Sequence, residues 1–442
     1  MKKIISTVLV TMGGFTGAAT AQAQTAPPPP PATPPATAPA PAPATAAAAP
    51  AETAPAPPAA SAPSAAPAPA PQPAPGAPAA AGHWWDKFAV DGFVDAYGAI
   101  NWNNVPKPQN AVPLRQFDTA QGFALNWAGI NAAYSSDTIG GTLGLRFGPG
   151  ANIYNAGADD ANGLTYVKQA YATWKAVDKL TLDFGKWDEP FGSEVADSQL
   201  NMNYSRSILF TFAQPLFFTG LRADYAASDQ LDVKVFAANG WNNSVDNNRG
   251  KTIGAQIMVK PADPVVLYIG YAGGPEQTDV QAAPAGAAPG STLGDVPGAN
   301  SNWRHLVDFV ADINPTKELR FLLNADYVTE EGIGNHSAVV YGGNLVARYA
   351  FSDAFFAALR GGYLHDEHGD RVPLVAALPA GQSINVEDFT LTLSYGIGNH
   401  LALMLDNRLD IADQPAFYKG ANTTDTNKNQ FTTTLGIIAS TK

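Results

Sequence analysis

Cysteine is absent from the 442-residue chain. That excludes a disulfide framework, thiolate metal ligands and a Cys nucleophile. Charge is scarce: 14% of residues are charged, against about 25% in an ordinary soluble domain. Basic residues number 26 against 38 acidic, a net charge of −12. No nucleic-acid partner is expected, because phosphate binding needs clustered Lys and Arg. Beyond the leader region no apolar run reaches the roughly 18 residues of a membrane-spanning helix. Any membrane contact must then come through a closed barrel or at the surface. Phosphate-binding loops, GxSxG and HExxH are missing too, so neither an enzyme nor a cofactor is expected. His305 lies inside an expected strand with no Ser on that strand placed to be activated by it.

What is present divides into three segments. Residues 1–23 read as a signal peptide: Lys2 and Lys3, an apolar run from Ile4 to Ala18, then Ala21-Gln22-Ala23 as a small-x-small cleavage site. Residues 24–82 are almost all Pro and Ala. They cannot bury enough surface to offset their ordering entropy and are expected to be disordered, with polyproline-II character. Such an arm is a spacer or a periplasmic contact to the cell wall. It has no Lys or Arg to grip an anionic polymer. From residue 83 to 442 the text changes to short alternating runs, opened by His83-Trp84-Trp85.

Those runs have period 2, the mark of strands with one apolar and one polar face. In 88–101, Phe88, Val90, Val94 and Ile100 oppose Asp91, Asp95, Tyr97 and Asn101. In 317–328, Leu319, Phe321, Leu323, Ala325 and Tyr327 oppose Arg320, Asn324 and Asp326. Sixteen such segments are expected, near 88–101, 121–134, 138–148, 164–176, 179–187, 215–226, 230–239, 250–260, 264–273, 302–313, 317–328, 338–350, 353–364, 386–396, 400–411 and 430–440. In 400–411 the spacing of Leu401, Leu405 and Leu409 also fits a helical stripe. Short turns alternate with long connections near 102–120, 149–163, 188–214, 240–249, 274–301, 329–337, 365–385 and 412–429. The fold class is therefore all-β: a 16-stranded antiparallel transmembrane β-barrel of outer-membrane type, with lipid on its outer face. Aromatics at strand ends, among them Trp102, Trp174, Trp187, Tyr225 and Tyr395, suit the membrane interface. Glycines such as Gly129, Gly254 and Gly270 suit a curved wall. By orientation the short turns and the arm face the periplasm.

In a barrel the lumen wall and any inward loop set function. The long connection 188–214 gathers Asp188, Glu189, Glu194, Asp197 and Arg206. It is expected to fold inward and narrow the pore. Arg146, Arg222, Arg304, Arg320, Arg348, Arg360 and Arg408 have lumen parity and would form a basic wall, or pair with Asp224, Asp308, Asp326 and Asp410. His365-Asp366-Glu367-His368-Gly369-Asp370 resembles a ligand cluster, but its spacing fits no metal motif, and it is read as an ordinary acidic loop.

Several fragments resemble the OmpL-like putative β-barrel porin family: Gly185-Lys186-Trp187, Pro190-Phe191-Gly192-Ser193-Glu194, Asn203-Tyr204-Ser205-Arg206-Ser207, Pro215, Thr219-Gly220, Asn239-Gly240-Trp241 and Asn248 to Lys251. The preceding strand Val167–Lys175 extends the likeness. It covers roughly 90 residues closely and the rest loosely, and it implies an outer-membrane pore-type barrel without naming a solute. One departure is the ending Ala439-Ser440-Thr441-Lys442, where many outer-membrane barrels carry an aromatic. The expected function is passive passage of small hydrophilic solutes or ions, with mild cation preference from the net charge. A homotrimer is the expectation by analogy with 16-stranded porins. The alternative is a structural or surface-adhesion barrel using the arm and the long loops.

Overall fold

The computed structural model describes residues 84–105, 113–155, 159, 162–282, 292–373, 381–420 and 425–441. The proposed signal peptide and Pro/Ala arm lie outside the described residues.

After a 3-10 turn at Trp84–Lys87 come β1 (Phe88–Asn101), β2 (Gly122–Ser135), β3 (Ile139–Phe147), β4 (Val167–Val177) and β5 (Leu180–Asp188). Next are β6 (Phe217–Ser228), β7 (Leu231–Ala238), β8 (Thr252–Ala262) and β9 (Val265–Pro275). A two-stranded sheet, β10 (Val280–Ala282) with β11 (Thr292–Asp295), decorates the following connection. Then run β12 (Trp303–Ile313), β13 (Leu319–Ile333), β14 (His336–Ala350), β15 (Phe355–Asp366), β16 (Ile384–Ile397) and β17 (Leu401–Ala412). A second small pair, β18 (Phe417–Tyr418) and β19 (Thr426–Asn427), precedes β20 (Asn429–Ser440). Two short helices are described in full, α1 (Pro149–Tyr154) and α2 (Ile208–Ala213).

Apart from the two small pairs, the strands form one closed antiparallel barrel in chain order, sixteen in all. The seam joins β1 to β20, from Phe93 opposite Ser440 to Asn101 opposite Thr432. Closure leaves no unpaired edge, which a hydrocarbon environment would penalise at every free N–H and C=O. All sixteen expected strands are present, and 401–412 is a strand paired on both sides, so its leucine spacing is not a helical stripe.

The two faces separate as the alternation requires. In β13, Arg320, Asn324 and Asp326 are buried while Leu323 and Tyr327 are exposed. In β1, Asp95, Tyr97 and Asn101 are buried while Val90, Val94 and Ile100 are exposed. A barrel with an apolar exterior and a polar interior is built for lipid outside.

Two expectations are corrected and a third is extended. The connection near 329–337 is not a long loop: β13 and β14 stay paired past Glu330 and turn through Gly334-Asn335. Its polar text reflects a hairpin that outruns its neighbours. Trp187 does not mark a membrane interface. It shares the parity of inward-facing Asp183 and is fully buried, edge-on to Phe236. The glycines named for curvature serve partly as sockets. A Cβ at Gly270 would lie 2.6 Å from the Phe191 ring, and one at Gly254 would lie 2.2 Å from Phe236.

Candidate functional site

The connection between β5 and β6 carries α2 and a 3-10 turn at Ser198–Leu200. Its polar groups meet inward-facing side chains on strands all round the barrel. Asp95 on β1 accepts from the Tyr204 hydroxyl and the Ser198 hydroxyl, both at 2.7 Å. Asp308 on β12 accepts from the Gly192 N–H at 3.1 Å, and Asn324 on β13 from the Ser193 N–H at 3.2 Å. Asn344 on β14 donates to the Ser207 hydroxyl at 3.0 Å. Asn203 donates to Thr392 on β16 at 2.6 Å, and Asp406 on β17 accepts from the Ser205 N–H and hydroxyl, both at 2.8 Å. A segment bonded to β1, β12, β13, β14, β16 and β17 at once lies within the barrel.

Its apolar side is also built in. Ser207 caps α2 by accepting from the Phe210 N–H at 3.1 Å, and the Glu194 carboxylate accepts the Ser207 N–H. The helix packs on β13 to β16. Ile208, Leu209 and Phe191 join Val340, Leu364, Ile384 and Val386 in one buried cluster at the long-loop end. Each large side chain fully buried there is worth roughly 1.5–3 kcal/mol. At Gly436 a Cβ would fall 2.1 Å from Tyr204, so the ring lies directly on the β20 backbone.

Of the five loop residues singled out in the sequence, Asp188 and Asp197 share Lys168, and the other three have partners or surroundings of their own. Glu194 bonds Arg360 at 2.9 Å. Asp197 takes a two-pronged bond from Arg146, at 2.9 and 2.8 Å, with Lys168 3.3 Å away. Burial pushes the Asp197 carboxyl up, but Lys168 and Arg146 outweigh it and hold the group well below the usual range. Asp188, at the end of β5, accepts from the Tyr154 hydroxyl at 2.6 Å and pairs with Lys168. Glu189 is buried, and no cation lies within bonding reach among the described residues. Burial, then the nearby charges of Asp188, Asp308 and Asp326, pushes its carboxyl well above the usual range. Arg206 donates to the Ser198 hydroxyl at 2.9 Å and the Tyr204 carbonyl at 2.6 Å, with its guanidinium over the Phe117 ring.

Six of the seven wall arginines are tied to carboxylates. Beyond the two already placed, Arg222 pairs with Asp183, Arg304 with Glu330, Arg320 with Asp312 and Arg408 with Asp410. Arg360 also reaches Asp388 at 2.9 Å. Of the acids expected as partners, only Asp410 serves an arginine in this set; Asp224 pairs with Lys234. Arg348 stacks over Phe356, 4.4 Å from the ring centre, with no carboxylate within salt-bridge distance among the described residues.

Lys168 and Asp406 are interior groups that the sequence reading passed over. Inward parity was their available signal, but parity does not say which wall residue meets which loop residue. Among the described residues, two of the interior cavities lie towards the short-turn end. One, about 670 Å³, reaches the turns at Asp137 and Asp178; the other, about 640 Å³, runs up to Glu189, Glu194 and Asp197. Both are lined by Thr142, Tyr171, Arg222 and Asp232.

The barrel is similar in fold to solved outer-membrane proteins. OmpT of Vibrio cholerae, expressed in the outer membrane, is 10% identical with a TM-score of 0.51; the match covers 80% of this chain and 97% of that one. The outer-membrane channel DcaP of Acinetobacter baumannii is 11% identical with a TM-score of 0.50, covering 80% and 96%. No curated protein matches at the sequence level. The family described as putative beta-barrel porin-2, OmpL-like, matches residues 87–440, the whole closed barrel from β1 to β20; the chain belongs to that family of outer-membrane porins.

Proposed function

We propose that the barrel passes small hydrophilic solutes by diffusion, with the segment from Asp188 to Gln214 as its constriction. The observation that carries this reading is the pair of charged cavities beside that segment, inside a wall of sixteen strands. A barrel of this strand number is wide enough for an aqueous channel unless a loop fills it. Mild cation preference is supported at the short-turn mouth. There Asp137, Asp178, Asp183, Asp224 and Asp232 line the cavity; Arg222 pairs with Asp183, Lys234 pairs with Asp224 and Asp232, and Lys175 and Lys179 line it too, which leaves five acids against four cations. The acids on the loop add no free negative field where they are paired, as Glu194 and Asp197 are.

The test is single-channel conductance in a planar bilayer, with and without residues 188–214, together with reversal potentials across a salt gradient. Stepwise conductance that grows on deletion, with cations favoured, is the expected result. Anion preference would overturn the selectivity. Unchanged conductance on deletion would overturn the constriction.

A structural or adhesion barrel is the second reading, favoured by the apolar cluster of Phe191, Ile208 and Leu209 packed across the long-loop end. Absence of conductance in both proteins, with β structure intact, would favour it.

A further inference from the structure

We infer that the long-loop rim carries a binding site for a transition-metal dication of the zinc class, made by His336, His368 and Asp370. One ligand atom from each of these side chains lies within 4.8 Å of the others. The His336 Nε2 and an Asp370 carboxylate oxygen are 2.9 Å apart, and the two imidazole rings have centroids 4.1 Å apart. Two donors bound at about 2.0–2.1 Å to one tetrahedral ion lie roughly 3.4 Å apart. The first pair is already near that spacing. The widest gap closes by a modest rotation of side chains that are only partly buried.

The scaffold around the three donors is held by other residues. His336 opens β14 immediately after the Gly334-Asn335 turn. His368 and Asp370 stand in the connection after β15, and the Glu367 N–H donates to the Val339 carbonyl at 2.9 Å, fastening that connection to β14. Asp366 is not a ligand: its carboxylate accepts the N–H groups of Asp370, Arg371 and Val372, at 3.1, 2.8 and 2.9 Å. Gly369 has φ of +68°, which lets the turn close between the two donors. His365 is turned away, its Nδ1 2.8 Å from the Asn385 side-chain oxygen. The donors thus come from the start of β14 and the connection after β15, and the run 365–370 alone did not reveal the set.

A second observation points to a ligand. The His368 Nδ1 is buried and has no hydrogen-bond partner among the described residues. Other buried side-chain atoms among the described residues also lack a partner, but this one belongs to an imidazole grouped with two further donors, where a missing ion is one ordinary cause. Two imidazoles with one carboxylate favour zinc, nickel or copper over magnesium or calcium, which take oxygen ligands. Three protein ligands leave a fourth position for water or an outside group. Bound there, the ion would tie the β13–β14 hairpin tip to the connection after β15.

The test uses the refolded full-length protein without a histidine tag. Zinc binding is measured by calorimetry, and cobalt binding by its visible spectrum. The expected result is one zinc per chain, a tetrahedral cobalt spectrum, and no uptake of magnesium. H336A and H368A should each weaken zinc at least tenfold and abolish the cobalt bands, whereas H365A and H400A should leave both unchanged. Gel mobility before and after heating checks that each variant keeps its barrel, and D370N supplies a milder change at the same site. Zinc binding that survives the H336A/H368A pair, that is lost equally in H365A, or that is absent from the parent protein overturns the proposal.

Discussion

At the scale of the residue, Arg360 is the tightest link between wall and loop. It is fully buried on β15 and donates to Glu194 at 2.9 Å, to the Ser205 carbonyl at 2.5 Å and to Thr390 at 3.0 Å, besides pairing with Asp388. Removing one member of a buried ion pair leaves the others uncompensated and costs roughly 3–5 kcal/mol. Arg360→Ala should therefore loosen the segment that carries Glu194 and Ser205. Expected outcomes are a lower urea midpoint and larger, noisier single-channel currents. Arg360→Lys should recover only part of the loss, because a single ammonium cannot serve four acceptors in the fixed geometry of the guanidinium. An unchanged midpoint together with unchanged currents would show that the link does not hold the loop.

At the scale of the element, the inward segment is held by groups whose proton affinities move in opposite directions. Asp197 is held below the ordinary carboxylate range. Its contribution is present above the unfolded value of about 3.9 and is lost only as pH falls through the lower folded value. Glu189 is raised. The folded protein then holds a proton that the unfolded chain releases, so stability falls as pH climbs from about 4.3 through the raised value. The segment should grip more firmly in mild acid and loosen towards alkaline pH, with conductance rising along the same course. Glu189→Gln should flatten that dependence, and equal pH profiles for parent and variant would refute it. This element also marks how far the sequence could be read. The strands were legible because lipid and lumen impose opposite polarities on alternate residues, and that pattern is local. The loop's partners were not. Tyr204 meets Asp95 and Ser205 meets Asp406 across one hundred residues or more, and no local period encodes such a pairing. The β13–β14 hairpin was misread for a related reason: beyond Thr329 neither lipid nor lumen enforces the alternation, so paired strand looks like polar loop.

At the scale of the whole molecule, the barrel closes on itself without any residue before Phe88. β1 is paired along one side with β2 and along the other with β20, and the family match begins at residue 87. Closure also satisfies the backbone of the first and last strands together. The ladder bonds of the sixteen barrel strands lie among residues 88–440. A chain lacking residues 24–82 should therefore refold with the same heat-dependent gel mobility, conduct with the same unit step, and unfold at the same urea midpoint. If the stretch serves as a spacer or a cell-wall contact, its loss should appear only in intact cells, as weaker retention of the barrel by the peptidoglycan fraction. A changed unit conductance in the purified shortened protein would instead place the stretch in or across the pore.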